Sequence, residues 1–126
     1  MSKAKQIGVN SLDELMKAVD DNKEKLLFVL FTGAADPASG ESWCPDCVKA
    51  DPVIERNLAH LPEDSVFVKC IVGDRPTWKD PQNEFRKHPK TLIKGIPTLL
   101  KWGTAERLGD SQCANDDLVK MLFTDE

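Results

Sequence analysis

Cys44 and Cys47 stand three positions apart in Trp43-Cys44-Pro45-Asp46-Cys47. Two thiols at this spacing at the start of a helix can close into a disulfide and reopen, the chemistry of thiol–disulfide exchange. The same pair could form half of a zinc site, but a tetrahedral site demands two further ligands beside it. What precedes the pair favours redox chemistry: an apolar run, a loop, C-x-x-C and then a helical pattern. The other cysteines, Cys70 and Cys113, read as small buried hydrophobes, with a regulatory Cys70–Cys113 bond as the alternative. His60 and His88 are distant from the motif and read as a helix end and a solvated loop.

The thiols need a frame. Leu26-Leu27-Phe28-Val29-Leu30-Phe31 reads as a buried strand. The loop Thr32–Ser42 follows, eleven residues of small and turn-forming types. A loop of this length often serves as a lid, and here it is expected to narrow access to Cys44 so that small extended disulfides enter and bulky folded ones clash. The helix beginning near Cys44 tolerates Pro45 in its first turn, is kinked at Pro52, and buries Ile54, Leu58 and Leu61. Upstream, Gln6–Val9 is a weak strand. Ser11-Leu12-Asp13-Glu14 reads as a capping box opening a helix to about Asn22. Downstream, Ser65–Val72 is a second central strand rich in β-branched residues. Asp74–Lys94 carries three prolines and many charges, with a short helix expected at Asn83–Lys87. Within it, Trp78 could border the site, whereas Arg86, Lys87, Lys90 and Lys94 read as a solvated face. Pro97–Trp102 and Ala105–Leu108 form a hairpin turning at Gly103-Thr104, and a last helix over Ala114–Phe123 is expected to bury Leu118, Met121 and Leu122. Strands alternating with helices, then a hairpin and a helix, imply a layered α/β domain with a mixed sheet.

Composition bounds the rest. The chain of 126 residues is 40% hydrophobic and 30% charged with net charge −4, which suits one domain over residues 1–126 with an ordinary core. Charges of both signs are mixed, so neither nucleic acid nor an anionic membrane is an expected partner. Met1–Gln6 lacks the apolar core of a secretory signal, and Phe123–Glu126 carries no retrieval or prenylation signal. A cytoplasmic location is therefore expected, where disulfides are mostly transient and catalytic. A monomer is also expected.

The order of elements, with Trp43-Cys44-Pro45-Asp46-Cys47, Pro52 eight residues after Cys44, and the distant Gly95-Ile96-Pro97-Thr98, resembles the thioredoxin superfamily. A closer resemblance is to a subgroup of small cytosolic thioredoxin-related proteins. It is carried by Phe31-Thr32-Gly33, the long loop, Ser42–Cys47, Val72-Gly73, Trp78-Lys79-Asp80-Pro81 and Met121-Leu122-Phe123. The resemblance implies a three-layer sandwich, a central mixed sheet of about five strands flanked by about four helices. It implies a cis Ile96-Pro97 bond opposite the thiols, with Trp43, Ile96 and Pro97 binding substrate. The chain departs from ordinary thioredoxins in two ways. Pro45-Asp46 replaces their Gly-Pro, and Leu30 stands where they bury an acid.

Within this frame Cys44, at the exposed helix start, is expected to be the nucleophile, because unpaired amides there favour a thiolate. Cys47, nearly a turn deeper, resolves the mixed disulfide. Pro45 and Asp46 would tune the redox poise, with Asp46 helping to deprotonate Cys47 directly or through water. The resemblance implies a disulfide reductase acting on cystine and selected protein disulfides, with weak peroxidase activity. It also implies no bound cofactor and no metal, with electrons delivered from NADPH by thioredoxin reductase. No nucleotide-binding fingerprint is present, so electrons must come from a partner. The rival reading is a redox-regulated interaction module in signalling.

Overall fold

The computed structural model describes residues 4–124. The ends of the chain read above for targeting signals, residues 1–3 and 125–126, lie outside the described residues. Five strands form one sheet: β1 (Lys5–Val9), β2 (Leu27–Thr32), β3 (Val66–Ile71), β4 (Thr98–Lys101) and β5 (Arg107–Gly109), in the order β1-β3-β2-β4-β5. β3 runs parallel to both β1 and β2. β4 pairs antiparallel with β2, and β5 antiparallel with β4. The sheet is mixed, as expected.

The centre of the sheet is held by β2, whose six residues are all buried. Strand alternation sends Leu27, Val29 and Phe31 to one face and Phe28 and Leu30 to the other. On the first face they meet Leu15 and Ala18 of α1 (Leu12–Asp21) and Val66, Val68 and Cys70 of β3. On the second they meet Ala50, Val53 and Ile54 of α2 (Pro45–Asn57) and Val119, Leu122 and Phe123 of α5 (Asp116–Thr124). Phe123 closes this face edge-on against Phe28 and Phe67, with ring centroids 5.2 and 6.2 Å apart. Cys70 and Cys113 therefore sit in separate cores on opposite faces, which argues against the Cys70–Cys113 bond.

The expected helices are present, joined by a fifth. α3 (Arg75–Lys79) and α4 (Glu84–Lys87) are short and begin with side-chain caps from Asp74 and Asn83. α3 was not foreseen, because only Trp78 of its five residues is buried and no apolar period exists to read. At α1 the cap differs in detail. Ser11 accepts from the Glu14 amide at 3.1 Å, but the Glu14 carboxylate reaches the Asn10 amide at 2.7 Å rather than that of Ser11. α5 starts two residues later than expected, with Asn115 accepting from the Leu118 amide. Its buried stripe is Val119, Leu122 and Phe123. Met121, expected inside, is 59% exposed, and Leu118 is only half-buried.

Candidate active site

The site begins at Gly33, where β2 ends. A β-carbon at Gly33 would stand 2.8 Å from the Trp43 indole nitrogen, so only glycine lets Trp43 lie against this backbone. Trp43 is fixed there by donating from Nε1 to the Gly73 carbonyl at 2.9 Å. Ser42 donates to the Gly33 carbonyl at 3.0 Å and accepts from the Cys44 amide at 3.2 Å. These contacts anchor the residue before the helix. Cys44 is then the N-cap of α2, and its Sγ accepts the Cys47 amide at 3.2 Å, the bond a capping side chain usually makes. Pro45 follows at the first helical position, where no amide is lost.

Both sulfurs are more enclosed than the sequence suggested. Cys44 is 5% exposed and Cys47 is fully buried. Cys44, expected at an exposed end, is covered by its neighbours across the cleft, and its Sγ lies 3.8 Å from the Ile96 carbonyl oxygen. Ile96 precedes Pro97, and the bond between them is cis. Burial pushes the Cys47 thiol up to about 12, and its contact with Cys44 adds to the rise. The Thr32 hydroxyl and the Gly33 backbone pull it partly back. Cys47 thus remains a thiol at neutral pH, which leaves Cys44 as the group able to attack first. Cys70 and Cys113 are pushed to about 12 by burial as well and lie away from the cleft.

Thr32 had no assigned part in the sequence reading. Its Oγ1 is buried and makes no hydrogen bond of ordinary geometry, although it stands near enough to act on Cys47. Nothing in the sequence marks it beyond its place at the end of a buried strand. Asp46, expected to help deprotonate Cys47 directly or through water, stands on the outer side of the same turn. Adjacent helical residues point about 100° apart, so Asp46 is exposed while Cys47 faces inward. Cys44, Thr32 and Gly33 act on the Cys47 thiol. Leu30, read as standing where ordinary thioredoxins bury an acid, shares the core with Ala50, Val53 and Ile54 of α2.

The cleft at Cys44 has a volume of about 420 Å³. It is lined by Trp43, Cys44, Pro45 and Asp46 at the start of α2, by Arg75, Trp78, Lys79 and Arg86 of α3 and α4, and by Lys94, Gly95, Ile96 and Asp110. Arg86 and Lys94, read as part of a solvated face, thus border the cleft at Cys44. The Thr32–Ser42 loop does not line this cleft. It folds on itself through an Ala35–Ser42 bridge and borders a second cavity with Val48, Asp51 and Lys69. Desolvation in that cavity raises the Asp51 carboxyl above its ordinary range, opposed by Lys69. No cluster of three or more His, Cys, Asp or Glu able to hold a metal occurs among the described residues. No helix among them is long and apolar enough to cross a membrane.

A buried dithiol at the start of a helix that contains a proline, faced by an Ile-Pro segment and set beside a mixed sheet of this order, defines a thioredoxin-fold dithiol protein. The superposition agrees. The crystal structure of reduced Schistosoma mansoni thioredoxin pre-protein matches with a TM-score of 0.58 at 21% identity, covering 94% of this chain and 99% of that one. The family model for the thioredoxin domain of thioredoxin domain-containing protein 17-like proteins matches residues 5–125, and the chain belongs to this family. It is 49% identical to Thioredoxin domain-containing protein 17 of Danio rerio and 44% identical to that of Homo sapiens, in each case over 126 residues and the full length of both chains.

Proposed function

We propose that the protein is a cytosolic disulfide reductase that turns over through Cys44 and Cys47. The observation that carries this reading is the asymmetry of the pair. One sulfur borders the cleft and accepts an amide at 3.2 Å, while the other is fully buried and held as a thiol. The Cys44 sulfur attacks one sulfur of the substrate disulfide and expels the first thiolate. Cys47 then loses its proton and attacks Cys44 Sγ, which releases the second thiol and leaves the protein oxidised. The Ile96 carbonyl beside Cys44 would receive the substrate backbone in strand fashion. Cystine and selected protein disulfides are the proposed substrates. Thioredoxin reductase, drawing on NADPH, restores the dithiol.

The test is NADPH consumption by the protein with thioredoxin reductase and a panel of cystine, insulin and hydrogen peroxide. Reduction of cystine that vanishes in Cys44→Ser supports the reading. No consumption with any disulfide would sink it. Partner binding that survives Cys44→Ser without any turnover would favour the interaction-module reading instead.

A further inference from the structure

The cleft beside Cys44 is lined with charge of mainly one sign. Arg75 and Lys79 come from α3, Arg86 from α4 and Lys94 from the segment before β4, against Asp46 and Asp110. The chain as a whole has the opposite balance, with net charge −4. Among the described residues, ion pairs occur at Lys17, Lys25, Arg56 and Lys101, and none involves these four cations. Their charge therefore faces the cleft uncompensated by a fixed partner.

Arg86 is the most ordered of the four. Its guanidinium carbon lies 3.8 Å from the centroid of the Trp78 ring, and its Nε donates to the Trp78 carbonyl at 2.8 Å. Trp78 is itself buried, so the stack rests on a fixed surface. Nε is engaged, and the two terminal nitrogens make no hydrogen bond among the described residues. A guanidinium held over a buried ring with those donors free is preorganised to receive a carboxylate in fork geometry. Asp46, in the first turn of α2, repels negative charge. A carboxylate entering the cleft is therefore directed toward α3 and α4.

We propose that this wall is a subsite for carboxylates, and that the disulfides the protein reduces best carry acidic groups next to the reactive sulfur. The inference rests on the dithiol-exchange reading above and names the substrate class for it. Favourable charge raises the encounter rate and holds the disulfide in register with Cys44, and salt weakens both effects at this exposed site.

The test uses the pre-reduced protein alone and two peptides, each with its one cysteine blocked as a 2-thiopyridyl disulfide. In one peptide glutamates flank the cysteine, and in the other lysines do. Attack of Cys44 on the peptide sulfur expels thiopyridone, which is read by absorbance. Cys47 then displaces the peptide thiol, so the protein dithiol is oxidised as the activated disulfide is reduced. The glutamate peptide should react about tenfold faster at low ionic strength, with the gap narrowing as salt is added. Arg86→Gln/Lys94→Gln should bring the two rates together. Lys79→Gln/Lys94→Gln, at two exposed residues in no ion pair among the described residues, should narrow the gap even if the first variant folds poorly. Equal rates for the two peptides, or a preference untouched by salt and by both variants, would overturn the carboxylate subsite alone. Absence of thiopyridone release from either peptide would overturn the exchange reading itself.

Discussion

Cys47 must ionise to finish the reaction, yet burial holds its thiol near 12. Among the described residues the Thr32 hydroxyl and the Gly33 backbone work against that burial, so the second step is where the fold restrains the chemistry. Cys47→Ser should accumulate mixed disulfides on Cys44, visible as a mass adduct, whereas Cys44→Ser should lose disulfide reduction entirely. Wild-type turnover by Cys47→Ser would exclude the two-thiol route. Thr32→Val tests the restraint. Its Oγ1 is buried without a hydrogen bond, so removing it should stabilise the protein by about 1 kcal/mol in urea unfolding. The same change removes a group that lowers the Cys47 pKa. Resolution of a preformed mixed disulfide should therefore slow at neutral pH and recover as pH rises, as followed by rapid quench. A faster resolution step would show that Thr32 does not assist ionisation. At this scale the sequence was legible where spacing is itself the signal. Cys44, Cys47 and the Ile96-Pro97 segment announce themselves by motif. Thr32 and Arg86 do not, because their roles come from neighbours distant in the chain: Thr32 from the helix above it and Arg86 from the Trp78 ring.

α2 carries the dithiol at one end and is tied down at the other. Near its C-terminus Arg56 grips Asp116 through two contacts of 2.7 and 2.6 Å, and Asn57 donates to the same carboxylate at 2.9 Å. These bonds join α2 to the first turn of α5, where a carboxylate is also favoured by the helix dipole. The Arg56 hydrogen bond, then that of Asn57, hold the Asp116 carboxyl below its usual value. A carboxylate lowered on folding stabilises the native state above its unfolded pKa of about 3.9, and that contribution fades as pH falls through the lower folded value. Asp116→Asn should therefore lower the urea midpoint at pH 7, and the deficit should shrink as pH falls below about 4. A deficit equally large under strong acid would mean that packing, not charge, is what was lost. Elements with a long apolar period, such as β2 and α1, could be read from sequence because burial repeats along them. α3 could not, since it buries a single side chain. The face of α5 was misread because it is chosen by packing against the sheet, where Phe123 meets Phe28 and Phe67, which places Val119 and Phe123 inside and Met121 outside.

Across the whole molecule, access to the thiols is set by which segments converge at one end of the sheet. The Thr32–Ser42 loop precedes the nucleophile in sequence, which made it the natural lid. Its own hydrogen bonds instead fold it inward: Asp36 donates its amide to Glu41 and accepts from Gly40, each at 2.7 Å, and the Ala34 amide is fixed to Gly73 at 3.0 Å. The loop then covers the cavity beside Val48, Asp51 and Lys69, while α3, α4 and Lys94 form the far side of the cleft at Cys44. Sequence proximity and spatial proximity part here because the chain turns at Trp43, whose indole is held on Gly73. A loop in that position can influence the stability of the site but not the shape of its entrance. Replacing residues 35–41 by a tight turn, with Gly33, Ser42 and Trp43 kept, should therefore change cystine and insulin reduction by the same factor. Substitutions in the cationic wall should instead change the two substrates by different factors, because the charge beside their disulfides differs. A loop deletion that raised insulin reduction alone would restore the lid and move substrate choice away from α3 and α4.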